Sequence, residues 1–119
     1  MDTRKMTGQR GEKIAQAFLR QQGWTILDVN WRSRIGELDI VAIPPDKPCL
    51  VIVEVRTKRS PRFGTAAESV DYRKQQKVRR LGLQYAQRHR LLDMPLRFDV
   101  VTVTLSSGKP DIVHIPGAF

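Results

Sequence analysis

Cysteine occurs once in the 119 residues, at Cys49, so the chain cannot close an internal disulfide. With no second cysteine and no tight histidine cluster, a zinc site of the usual spacing is excluded as well, and a reducing cytoplasm is the expected compartment. Long apolar runs are also missing: none approaches the ~20 residues of a membrane span. Met1 to Lys13 is polar, with no apolar h-region. Neither secretion nor membrane insertion is therefore expected. No Gly-rich phosphate loop and no nucleophile motif appears, and His89 and His114 have no partner at a recognisable spacing, so they read as surface or core residues. Acidic residues are the scarcest charged class, 12 Asp and Glu against 21 Lys and Arg, for a net charge of +9. An imbalance of that sign favours a polyanionic partner, nucleic acid first and an anionic membrane surface second.

What is present is enough for one folded domain. Hydrophobic residues make up 40% and charged residues 28%, which is too apolar for a disordered tail, and the length suits a single core. The expectation is one domain over 1–119, with 1–7 as a tail. The basic charge is unevenly spread. From Arg56 to Arg90 there are eleven basic residues and only two acids, Glu68 and Asp71, which points to a basic face.

Apolar residues at Ile14, Ala15, Phe18 and Leu19 recur at helical spacing, which predicts a helix over Gly8 to Gln22 stopped by Gly23. Trp24 to Trp31, Gly36 to Ile43 and Leu50 to Thr57 read as three strands of a meander, the last two separated by a turn containing Pro44, Pro45 and Pro48. Lys58 to Thr65 has the composition of a loop. Thr65 followed by Glu68 is a capping-box pattern and predicts a long helix from about Ala66 to Leu92. Pro95 to Leu105 and Asp111 to Ile115, joined by a Ser106 to Lys109 turn, complete the order α-β-β-β-α-β-β.

Side chains on a strand alternate faces, so Glu37, Asp39, Val41 and Ile43 share one face of the second strand, and Leu50, Ile52, Glu54 and Arg56 one face of the third. A turn over Pro44 to Cys49 then sets Val41 opposite Ile52, Asp39 opposite Glu54 and Glu37 opposite Arg56. Two carboxylates held that close repel unless a cation or proton intervenes, and hard oxygen ligands suit Mg²⁺ or Mn²⁺. The plain alternative is a polar strand end; their shared face makes a site the preferred reading. Glu37 with Arg56 reads as a cross-strand ion pair. Lys74, Val78, Leu81 and Tyr85 share one face of the second helix, so Lys74 is expected to look towards the sheet as a phosphate contact. Arg73, Lys77, Arg79 and Arg80 would widen the basic face, and the loop residues Lys58, Arg59, Arg62 and Phe63 combine charge with an aromatic able to stack on a base.

These residues resemble the PD-(D/E)XK nuclease superfamily, whose α-β-β-β-α-β core carries an acid on its second strand and E-x-K on its third; here Asp39 and Glu54-Val55-Arg56 match. Over about 110 residues, from G-E-K-I-A at Gly11 through W-R at Trp31, G-E-L-D-I-V-A at Gly36, V-E-V-R-T at Val53 and F-G-T-A-A-E-S-V at Phe63, the chain resembles the uncharacterised YraN family. That family is placed with the nuclease superfamily and is similar to archaeal Holliday-junction resolvases. The resemblance implies an α/β, restriction-endonuclease-like core with a mixed central sheet flanked by helices, and a metal-dependent endonuclease acting on DNA, branched or damaged DNA included. It further implies that Asp39 and Glu54 are Mg²⁺ or Mn²⁺ ligands, that Glu12 on the first helix is a third acid, and that the chain forms a homodimer, although no dimer motif is visible. Glu12 near a helix start also suits the helix dipole, and both readings of it stand. Arg56 departs from the nuclease pattern: arginine stays protonated, so it can stabilise phosphate charge but not act as a base, a function Lys58 on the same face could partly take. The departure keeps open a second reading, a nucleic-acid-binding module on the same scaffold without catalysis.

Overall fold

A computed structural model describes residues 3–59, 70–106 and 108–119, with side chains from Lys5 onwards. Seven elements follow one another: α1 (Thr3–Gln21), β1 (Thr25–Ser33), β2 (Gly36–Ile43), β3 (Leu50–Lys58), α2 (Tyr72–Arg88), β4 (Leu96–Thr104) and β5 (Asp111–Ile115). The five strands form one sheet in the order β1-β2-β3-β4-β5. All neighbours run antiparallel except β3 and β4, which are parallel and joined through α2. The fold is thus α/β with a mixed sheet, in the element order expected. Among the described residues no helix is long and apolar enough to cross a membrane.

The two faces of the sheet bury separate clusters. On one, Ala15 and Leu19 of α1 pack on Ile40, Ala42, Val51, Val53, Val101 and Val103. On the other, Val78, Leu81 and Tyr85 of α2 pack on Leu38, Val41, Leu50, Ile52 and Phe98. Each helix contributes one apolar stripe, and β3, covered on both sides, is buried from Leu50 to Glu54, as its near-continuous apolar run requires. Gly11 sets how closely α1 can approach: a side chain there would overlap Thr57 on β3.

Strand ends fall within two residues of the sequence reading, and three helix ends differ by more. α1 begins at Thr3, not Gly8, so Thr3 to Thr7 is helix rather than tail; Gly8 is simply absorbed inside a helix anchored by Ala15 and Leu19. α2 begins at Tyr72, not near Ala66, because Asp71 is its N-cap: the backbone there is extended and the carboxylate accepts the Lys74 N–H at 2.9 Å. The Thr65 and Glu68 capping box itself lies outside the described residues. α2 also stops before Leu92. Arg90 has φ 57°, its N–H reaches the Gln87 carbonyl, and the Leu91 N–H reaches that of Ala86, the pattern of a Schellman stop.

Candidate active site

The hairpin register decides whether two carboxylates meet. Val41 pairs with Ile52, and Ile40 with Val53, as the six-residue turn predicts. The paired ladder ends at Ile40 and Val53. Beyond it the carboxylates take over the main-chain hydrogen bonds: Asp39 Oδ2 accepts the Val55 N–H at 2.8 Å, and the Asp39 N–H points at Glu54 Oε2 at 3.4 Å. Asp39 and Glu54 are therefore neighbours across the two strands, and Glu54 is 1% exposed. Lys74, from the first turn of α2, brings its Nζ to 3.6 Å from Glu54 Oε1, towards the sheet as its helical position implies.

Burial is the main force on these acids. It pushes the Glu54 carboxyl up to about 8, Asp39's charge pushes the same way, and Lys74 with the Asp39 N–H opposes both. Asp39 is also raised by burial, against the opposing pull of the Val55 N–H and Lys74. Glu12 is raised by burial and then by the charges of Asp39 and Glu37. The α1 acid thus lies within electrostatic reach of the strand acids. Three carboxyls whose anionic forms are all disfavoured constitute a site short of positive charge.

Asn30 and Glu37 complete the surroundings. With its amide oriented to satisfy both acids, Asn30 donates to Glu37 Oε1 at 2.9 Å and to Glu12 Oε2 at 3.2 Å, tying α1 to β2. Asn30 has φ 51°, a left-handed conformation unusual for a residue within a strand. Sequence reasoning passed over it, although asparagine within a β-rich run is itself a signal. Glu37 does not pair with Arg56. It binds Arg32 on β1 at 2.9 Å, because the directly opposed Arg32 and Glu37 positions of the β1–β2 ladder bring those side chains together first.

Arg56 instead lines an open cleft of about 530 Å³ with Thr7, Gly8, Glu12, Val55, Thr57, Lys58 and Arg59. Arg59 donates to Thr7 Oγ1 at 3.1 Å, which joins the end of β3 to the start of α1. Arg73, Lys77 and Arg80 are exposed on α2. Arg79 lies over the Phe98 and Phe119 rings, at 5.3 and 5.8 Å. Arg62 and Phe63 lie outside the described residues. His114 is not solitary: it bonds the buried Asp99 at 2.8 Å, and Arg97 bonds the same carboxylate.

Among the described residues, no group of three or more His, Cys, Asp and Glu is gathered closely enough to ligate one ion. Asp39 and Glu54 as a pair still fit a hard divalent cation. They offer only oxygen, they stand side by side as disfavoured anions, Glu54 buried and Asp39 half-buried, and Mg²⁺ commonly takes one or two protein carboxylates with water and phosphate as its remaining ligands.

The family model that matches this chain, residues 11–103, is that of the uncharacterised protein family UPF0102. The chain belongs to that family. A UPF0102 protein of Alkaliphilus oremlandii is 44% identical over 117 residues, 97% of this chain and 98% of the relative. UPF0102 proteins of Pelobacter propionicus and Myxococcus xanthus are 44% and 40% identical, over 95% and 98% of this chain and 81% and 90% of theirs. The UPF0102 match spans Glu12, Asp39, Glu54, Arg56 and Lys74, so every candidate site residue lies inside the part of the chain that defines the family.

Proposed function

We propose that the chain is a metal-dependent phosphodiesterase acting on DNA, built on a restriction-endonuclease-like core, with branched or damaged DNA among its substrates. The observation that carries this reading is the juxtaposition of the half-buried Asp39 and the buried Glu54 at the end of the β2–β3 ladder, with Lys74 beside them. The element order α-β-β-β-α-β, in a mixed sheet, supports such a core. The resemblance of Asp39 and Glu54-Val55-Arg56 to the nuclease pattern supports it independently.

Asp39 and Glu54 would hold Mg²⁺ or Mn²⁺, with Glu12 assisting from α1. A divalent ion there supplies the positive charge that makes water more acidic and offsets charge on the phosphate. The chain's own residues bind and orient. Arg56, permanently protonated, receives phosphate oxygens at the mouth of the cleft and cannot take a proton from water. Lys74 offsets the anionic phosphate beside Glu54, and Lys58 and Arg59 extend the positive surface along β3. Incubating the protein with branched, linear and single-stranded DNA in Mn²⁺ tests this. Cleavage abolished by Asp39→Ala supports it; no cleavage by the wild type, or equal cleavage by the variant, sinks it.

One observation favours a second reading. Arginine at position 56 leaves no base of the usual type in the motif, as in a scaffold that binds DNA without cutting it. Such a module would show salt-sensitive binding, unchanged by chelator or by Asp39→Ala, and no turnover.

A further inference from the structure

The turn between β1 and β2 forms an open cleft of about 500 Å³ whose lining includes Arg32, Ser33, Arg34, Gly36, Glu37 and Lys77. Its construction is specific. Lys77 lies directly on the turn, where a side chain at Gly36 would come within 2.7 Å of the lysine Cε. A side chain at Gly36 would displace the ammonium end of Lys77 from the hairpin. Arg32 is held by Glu37 at 2.9 Å, so its charge is already compensated. Among the described residues, Arg34 and Lys77 have no acidic partner within ion-pair distance, and both are exposed. Two uncompensated cations on one concave surface call for an anion.

Position supplies the identity of that anion. Lys77 lies three residues after Lys74 on α2, a spacing that makes side chains surface neighbours, and Lys74 touches Glu54. Along β2, Gly36 at the cleft stands three residues before Asp39, roughly 10 Å of strand. A nucleic-acid strand seated at the carboxylates can therefore reach the cleft with another of its phosphates. The Arg56 cleft lies along β3, whereas this one lies along β1 and β2, so positive surface flanks the carboxylates on both sides.

We infer that the β1–β2 cleft is a second phosphate subsite, in which Arg34 and Lys77 bind another phosphate of the nucleic-acid strand held at Asp39 and Glu54. The inference rests on the functional reading above and adds to it a requirement for a continuous strand with at least two phosphates engaged. Arg32 serves it by position: tied to Glu37, it fixes the end of β1 from which Arg34 projects.

Binding of a short DNA duplex, followed by fluorescence anisotropy in Ca²⁺ over a range of salt, separates the possibilities. Arg34→Ala with Lys77→Ala should weaken binding about tenfold at low salt and reduce the slope of log affinity against log salt by about one, the share of one phosphate. Arg20→Ala with Lys109→Ala removes the same charge from exposed positions elsewhere and should change affinity by no more than about twofold. Lys77→Gln alone, which keeps the length of the side chain, should give part of the loss. If the wild type binds with a clear salt slope but the two double variants behave alike, the subsite is overturned and the functional reading survives. A wild type that binds no DNA at low salt overturns both.

Discussion

Asp39 and Glu54 replace a rung of the β2–β3 ladder with their own carboxylates: Asp39 accepts the Val55 N–H, and the Asp39 N–H faces Glu54. A backbone pair there would have satisfied the same groups with no buried charge. The arrangement therefore costs the apo protein stability, as expected of residues placed for function rather than for the fold.

Removing one of these charges should stabilise the metal-free protein. Glu54 is raised from 4.5 to about 8, so the folded state keeps a proton that the unfolded state gives up. A raised pKa contributes stability that is complete below the unfolded value and lost as pH rises through the folded one. Denaturant titrations in chelator should show the wild type losing stability from pH about 4.5 to about 8, and Glu54→Gln losing less, with the difference constant at higher pH. At pH about 8.5 the variant should be more stable by on the order of 1–3 kcal/mol, several degrees in Tm. A variant less stable than the wild type at that pH would show that the carboxylate holds the fold together.

Divalent metal should reverse that penalty in the wild type alone. Saturating Ca²⁺ or Mn²⁺, at about a hundred times its Kd, raises stability by ~2.7 kcal/mol when it binds only the folded state. Differential scanning fluorimetry should show this rise for the wild type and none for Asp39→Asn. An equal rise in both would place metal binding elsewhere.

The pair was legible in the sequence because its determinants are local: two β-rich runs, a Pro-containing turn of fixed length, and side-chain alternation. Val41 opposite Ile52 follows from those alone. The misplaced features are those decided by a third element or a competing local signal. β2 and β3 alone set Glu37 opposite Arg56, while β1 supplies Arg32 at 2.9 Å. Thr65 and Glu68 point to a start of α2 near Ala66, but Asp71 is the N-cap. Asn30 was invisible because its role depends on α1, β1 and β2 converging, which no single window of sequence contains.

Asn30 offers a test of that convergence. Asn30→Ala removes the bridge to Glu12 and Glu37 while leaving alanine at φ 51°, which costs roughly 1–2 kcal/mol. Asn30→Gly removes the same bridge without the backbone strain. Both should weaken metal affinity alike, whereas only the alanine variant should lose that stability. Calorimetric metal titration beside thermal denaturation reads the two effects separately, and metal affinity unchanged in both would remove Asn30 from the site.

Gly11 tests the placement of Glu12 from the helix side. Any added carbon meets Thr57, so Gly11→Ala must push α1 away from β3 or displace the Thr57 side chain. Overpacking of this kind costs about 1–3 kcal/mol, more than the intrinsic gain of alanine in a helix. Thr57→Ala, combined with Gly11→Ala, should recover part of the loss by removing the hydroxyl, the atom nearest the added carbon. A double-mutant cycle on stability would show positive coupling; strict additivity would mean that α1 and β3 do not meet at this contact.

Asp99, paired with Val53 on the neighbouring strand β4, serves as a control for the acids of the site. It is fully buried and also disfavoured by burial, yet hydrogen bonds from His114, Arg97 and the Gly117 N–H outweigh that cost and hold its carboxyl below the ordinary range. A depressed pKa contributes stability that is present above the unfolded value, near 3.8, and lost as pH falls through the folded one. Asp99→Asn should therefore destabilise at neutral pH, by about 3 kcal/mol, since Arg97 and His114 lose their anion. It should also flatten the acid limb of the stability profile. Glu54→Gln acts on the other limb and with the opposite sign. Two buried acids in one small sheet would then be separated by experiment into one that holds the C-terminal segment in place and one whose charge the empty fold can barely tolerate.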